Sequence, residues 1–165
     1  MTDNDKMIRN KISGYLESKH TLSLSTCDDN IPWACSVLYV SDKYLQIYFL
    51  TDPATLHGQQ LAAGPIAATI NENCKRWDEI KGIQLVGTTA IVTGPERENG
   101  LSLYLEKFPD VRQTLQSPRN DSEKLIAEKL KATPLYRISI DWIRLIDNSE
   151  AFGAKIELSN LQLST

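Results

Sequence analysis

Between Tyr44 and Glu72 the chain reads as strand, helix and strand in close succession. YLQIYFL is rich in aromatic and β-branched residues and ends at Leu50, and an extended pattern resumes over Ile66–Ile70. The intervening TDPATLHGQQLAAG offers Thr51 or Asp52 as an N-cap and Pro53 at the first helical position, where a missing N–H costs nothing; Gly64-Pro65 stops the helix. Thr51, Thr55 and His57 are therefore expected at or near a helix N-terminus directly after a strand. Free backbone N–H groups and the helix dipole favour an anion at such an end, commonly a phosphate.

Around this unit the pattern is mostly β. A helix over Asp5–Ser18 presents Ile8, Ile12, Tyr15 and Leu16 on one face. Thr21–Thr26 alternates with Leu22 and Leu24 inward, Asp28-Asp29-Asn30 is a turn, and Trp33–Val40 and Tyr44–Leu50 complete an antiparallel meander. A polar loop covers Glu72–Glu79, and a long strand spans Ile80–Val92, with Gly82 and Gly87 marking bends or close backbone approach. Helices are expected over Glu96–Lys107, Pro109–Gln116 and Asp121–Lys131. Leu135–Asp147 is another long strand, with Tyr136, Ile138, Ile140 and Trp142 on one face and a shift of phase to Ile143 and Leu145 that implies a bulge or a strand that turns a barrel corner. Phe152–Leu158 is a last short strand, and the tail LSNLQLST is expected to fray. The sum is a mainly β, α+β chain of about six to seven mostly antiparallel strands with helical insertions. Closing such a sheet into a small split barrel hides its edges.

The 165 residues suit one domain, 1–165, with enough chain for a real core. A net charge of −3 and the lack of basic–aromatic interleaving speak against nucleic acid. The polar start MTDNDKMIRN and the lack of a long apolar run lead to the expectation of a cytoplasmic protein without a membrane span. Cys27, Cys35 and Cys74 form no metal-ligand spacing with His20 and His57, so no metal site is expected, and Cys27 and Cys35 read as small apolar fillers. Trp33, Tyr39, Tyr44, Tyr48 and Trp142 on the strands suggest an aromatic patch that a second copy covers.

The order of these elements, with the motifs FLTDPATLHGQQL, IKGIQLVG and IRLIDNSEAFGAK, resembles the flavin-binding split barrels related to pyridoxamine-phosphate oxidase. Among them the chain is similar to the small bacterial YhbP-like group, over roughly residues 8 to 158. The resemblance implies a homodimer with FMN in clefts at the subunit interface. It carries the phosphate contacts onto Thr51, Thr55 and His57, places the backbone of Cys35, Ser36 and Leu50 beside the ring or ribityl chain, and assigns Gln84 to the ribityl or phosphate side.

Two departures shape the functional expectation. His57 stands where that family carries Lys or Arg, and WACSVLY lacks the basic residues of the true oxidases. The oxidases' C-terminal substrate signature has no counterpart in DNSEAFGAKIEL, so oxidation of pyridoxamine phosphate is not expected. The first reading is an FMN-dependent oxidoreductase moving hydride between flavin and a nicotinamide or other small molecule. The alternative is a non-enzymatic flavin or small-ligand module of the same fold. In the first case the cofactor carries the chemistry and the chain positions it.

Overall fold

A computed structural model describes residues 2–159. Helix α1 (Asp3–Ser18) opens with a capping box in which Thr2 and Asp5 each satisfy the other's backbone N–H. It buries Ile12, Tyr15 and Leu16, the apolar stripe expected from the sequence. Strands β1 (Thr21–Asp28) and β2 (Ile31–Ser41) form a hairpin over Asp29-Asn30, both with positive φ, the geometry a two-residue turn requires. Next come β3 (Ile47–Leu50), the short helix α2 (Leu56–Gln60), β4 (Ile66–Asn71) and, after a 3₁₀ turn at Trp77–Glu79, the long β5 (Lys81–Ile91). Helices α3 (Gly94–Lys107), α4 (Pro109–Gln116) and α5 (Asp121–Ala132) precede β6 (Leu135–Asp147) and β7 (Lys155–Ser159).

All strand pairs are antiparallel, in the order β3-β2-β1-β4-β5-β6-β7, and a further β3–β6 pairing closes six of the strands into a barrel. The long β6 makes the closure and the split possible. Its first residues, Leu135–Ile138, pair with β3, while Trp142–Ile146 pair with β7. Between the two stretches lies the bulge expected from the sequence. Val86 faces Trp142 and Gly87 faces Ile140, so Asp141 has no partner on β5. The extra residue turns the strand, and the same edge serves first the barrel and then the added strand. Gly87 is required here, because a Cβ on it would stand 2.3 Å from the Ser139 carbonyl oxygen.

The main core joins Leu22, Leu24, Tyr39, Phe49, Ile83 and Ile138, among others, with Leu16 of α1 plugging one end. A smaller cluster under α3 gathers Val40, Tyr48, Val92, Tyr104 and Leu135. Gly100 lets α3 approach, since a Cβ there would lie 2.9 Å from both the Tyr48 ring and Leu135.

Several expectations are corrected. The third strand starts at Ile47, not Tyr44, because Leu45 adopts φ +64° and turns the chain while its side chain enters the core. Tyr39 and Tyr48 are buried, one in each cluster, and do not contribute to an uncovered patch. Trp142 lies beyond the bulge, opposite exposed Val86, and carries the Arg144 guanidinium over its ring at 4.7 Å. The last strand begins at Lys155 and leaves Phe152 exposed, and Cys27 is exposed where an apolar filler was expected. Residues 160–165 of the tail lie outside the described residues. Among the described residues no helix is long and apolar enough to cross a membrane.

Candidate functional site

The corner where β3 runs into α2 is built differently from its sequence expectation. Neither Thr51 nor Asp52 caps the helix, and Pro53 precedes it. Asp52 instead starts a turn: its carboxylate accepts from Ala54 N at 2.8 Å and its carbonyl from Thr55 N at 3.1 Å. Thr55 is the N-cap, its hydroxyl oxygen accepting from Gly58 N at 3.2 Å, and α2 runs only from Leu56 to Gln60, well short of Gly64. So short a helix contributes little dipole, and any anion affinity of the corner must come from its side chains.

Those side chains meet. Thr51 Oγ1 lies 2.6 Å from His57 Nε2, and Thr55 Oγ1 lies 3.2 Å from the same nitrogen. The Thr55 hydroxyl proton is committed to the Asp52 carbonyl at 2.7 Å, so Thr55 can only accept from the imidazole. Thr51 pairs with Nε2 in either tautomer, accepting from Nε2–H or donating to the bare nitrogen. Thr51 is buried and His57 is partly exposed, and burial pushes the His57 pKa below its ordinary value.

Buried polar anchors hold the corner on the barrel. Thr26 of β1 donates to Gln60 Oε1 at 2.6 Å, and Gln60 Nε2 donates to the Ile31 carbonyl at 3.2 Å. Thr89 of β5 donates to the Leu61 carbonyl at 2.9 Å. Gly58 permits the fold-back, because a Cβ on it would lie 2.4 Å from the Asp52 carbonyl oxygen. Sequence reasoning missed Gln60, Thr26 and Gly58. For Gly58 a signal existed, a glycine inside an apparent helix, but the polar pair carried none.

Of the remaining candidates, Ser36 and Gln84 lie on the outside of the barrel. Ser36 faces Ser23, Ser23 faces Thr69, and Thr69 faces Gln84, so Ser36 and Gln84 end one row across four strands, about 14 Å apart at three strand spacings. The next row, Ala34, Ser25, Ala67 and Val86, is equally small-sided, and the two rows form a shallow, exposed floor. Cys35 points the other way and packs partly against the core, so its backbone alone is presented outward. Leu50, half-buried, precedes Thr51 and packs under α3. Thr51, Thr55 and His57 are in contact, then, while Cys35, Ser36 and Gln84 lie on β2 and β5 of the sheet.

A closed antiparallel barrel of this size, with one strand split between barrel and flap, defines the class. The family model for pyridoxamine 5′-phosphate oxidase matches residues 8–145, and the chain belongs to that family. It is 29% identical over 147 residues to the UPF0306 protein YhbP of Salmonella arizonae, covering 88% of both chains. Similar solved folds include ChuZ of Campylobacter jejuni, with a TM-score of 0.71, 13% identity and coverage of 95% of this chain and 61% of that one. A FAD binding protein of Mycobacterium smegmatis has a TM-score of 0.53, with 10% identity and 91% and 94% coverage. A heme binding protein of the same organism scores 0.68, with 12% identity and 99% and 61% coverage.

Proposed function

We propose that this chain binds FMN at the β3–α2 corner, as one half of a homodimer, and works as a flavin-dependent oxidoreductase. The observation that carries the reading is the convergence of Thr51 and Thr55 on His57 Nε2, in a chain of the pyridoxamine 5′-phosphate oxidase family. The donor set fits a phosphate. In the complex one phosphate oxygen accepts from the Thr51 hydroxyl and another from the imidazole Nε2–H, each replacing the contact between Thr51 and His57. From there the cofactor body follows the backbone of Leu50, Cys35 and Ser36 and runs over the small-sided floor toward Gln84. Side chains no larger than Ser, Ala, Thr or Val let a flat ring lie close to the sheet.

When bound, the flavin supplies hydride transfer with a nicotinamide or another small substrate. The chain's residues anchor the phosphate, set the ring's height above the sheet and, with a second copy over the same face, keep water away. Exposed Leu38 and Val86, both on the outward side of the sheet, support that second copy, because apolar residues on a bare sheet face favour cover. Purified protein is expected to be yellow, to release FMN on denaturation and to scatter light as a dimer at micromolar concentration. A colourless preparation that leaves the fluorescence of added FMN unquenched overturns the reading.

One observation favours the alternative of a binding module without turnover. The corner's functional atoms are two hydroxyls and an imidazole that hydrogen-bond to one another, a set suited to holding a phosphate. Reduction by NAD(P)H faster than that of free FMN marks the oxidoreductase. Tight FMN binding without it marks the module.

A further inference from the structure

A cavity of about 520 Å³ opens between one face of α1 and the start of β5, the end of β6 and the start of β7. Leu145 and Ile156 line it and pack toward the core, so it lies on the opposite side of the sheet from Arg144 and the Ser36–Gln84 row. It takes in none of the corner residues. Lys11, Gly14, Tyr15 and Ser18 form its α1 wall, at the helical spacing of three and four. Gly14 is the unexpected member. It sits in the helix interior, where glycine is the poorest helix former after proline. Gly87 and Gly100 are each required by a close approach, but a Cβ on Gly14 would meet no described atom within 4 Å, and its φ is not positive. Alanine would fit the folded chain and favour the helix. Bare backbone retained on the wall of a cavity points to something from outside the chain that approaches it.

The carboxylates around the cavity are neutralised from within the chain. Asp147, nine-tenths buried, holds the Lys81 ammonium at 2.6 Å and accepts from Ser149 N at 3.1 Å and Ser149 Oγ at 2.5 Å. Glu150 holds Lys11 at 2.7 Å, and Glu72 holds Lys19 at 2.8 Å. Among the described residues no three His, Cys, Asp or Glu side chains group as metal ligands. The ammoniums are not used up in the same way, because each has three N–H donors and Lys11 and Lys81 each meet one carboxylate. Lys155 is less engaged still. Its Nζ stands 4.0 Å from Glu157 Oε1, an oxygen that Arg144 already holds at 2.7 Å. With Lys19 counted, four ammoniums face the three carboxylates Glu72, Asp147 and Glu150, and the balance of charge and of spare donors favours an anion.

We propose that this cavity binds a small organic carboxylate with an aromatic or apolar body. The carboxylate takes the spare N–H donors of Lys11, Lys81 and Lys155. Its body lies over Leu145 and Ile156 and against the bare backbone of Gly14. The site is independent of the flavin corner.

Calorimetric titration of the full chain with indole-3-acetate tests this, using indole-3-ethanol and tryptamine as its neutral and cationic counterparts. The acid is expected to bind about tenfold more tightly than the alcohol, and the amine more weakly still. Gly14→Ala should raise the free protein's Tm by about 2–4 °C, as a better helix former with room for its methyl group, while lowering affinity for the acid several-fold. Lys155→Gln should leave Tm unchanged, weaken the acid several-fold and narrow the gap between acid and alcohol. FMN titration of both variants should match the unsubstituted chain. Undetectable binding of the acid at millimolar concentration, equal affinity for acid and alcohol, or unchanged affinity in both variants overturns the proposal.

Discussion

The barrel interior and the β3–α2 corner are held together by opposite means. Inside the barrel, backbone ladders pair six strands in a ring and a continuous apolar cluster fills the space between them. Many contributions of similar size share the load, and none is unique. The corner has a five-residue helix and is tied by single atoms: one Thr26–Gln60 bond, one cap at Thr55, one imidazole nitrogen shared by two threonines. Redundant packing keeps a scaffold rigid, whereas bonds between single atoms can be exchanged for bonds to a ligand. The difference separates what makes the chain fold from what lets it bind.

The largest effect expected from breaking the interior is at Phe49, which is fully buried and stacked on Tyr136 at a centroid distance of 5.5 Å. Phe49→Ala should cost about 3–5 kcal/mol by denaturant unfolding, because the cavity left among close-packed neighbours cannot collapse fully. A loss under about 1 kcal/mol would mean that the barrel interior is loosely packed and would erase the contrast. Next comes Gly87→Ala, which drives a Cβ into the Ser139 carbonyl beside the bulge. Backbone must move, at about 1–3 kcal/mol, and FMN affinity should change only as far as the folded fraction does.

What the sequence made legible follows the same division. Period-2 and period-3.6 patterns reveal burial, so the existence of the strands, the α1 stripe over Ile12, Tyr15 and Leu16, and an irregularity midway along β6 were readable from alternation and its change of phase, while the starts of β3 and β7 were not. Gly94-Pro95 and Thr133-Pro134 likewise bracket the helical insert. The corner was legible as a place and not as a geometry. Thr51, Asp52 and Thr55 are all competent caps, and only the close approach of Gly58 to the Asp52 carbonyl selects Thr55. Leu45 could not be read either. A leucine with positive φ has no local signature, and what holds it there is the core position of its side chain.

Gly58→Ala sharpens the contrast from the other side. Alanine favours a helix by about 1 kcal/mol over glycine, and this offsets part of the cost of pushing Asp52 away. Net stability should fall by no more than about 1 kcal/mol in thermal unfolding. FMN affinity should fall about tenfold, equivalent to 1.4 kcal/mol, because the same displacement parts Thr51 and Thr55 from His57. Unchanged affinity at reduced stability would show that the corner is scaffold and not site.

The smallest and most specific effect concerns the His57 proton. Burial sets its native pKa below the ordinary 6.5, so between those two values the unfolded chain binds more protons than the folded one. The His57 contribution to stability is therefore at its plateau above pH 6.5 and declines as pH falls toward the native value. A phosphate beside the ring acts in the opposite sense, because it favours imidazolium and raises the pKa in the complex. FMN affinity should be greatest below the free-protein pKa and fall as pH rises through that of the complex. Acidification thus weakens the fold and tightens the ligand through one residue. His57→Lys should flatten the dependence of affinity on pH and tighten binding at neutral pH by about 1 kcal/mol, the scale of a charge-assisted contact. His57→Ala should flatten it and weaken binding. Titrations from about pH 5.5 to 8.5, corrected for the phosphate's own ionisation, decide the matter, since that span brackets an ordinary imidazole. If affinity is constant across it, the imidazole only spaces Thr51 from Thr55, and the phosphate is held by hydroxyls alone.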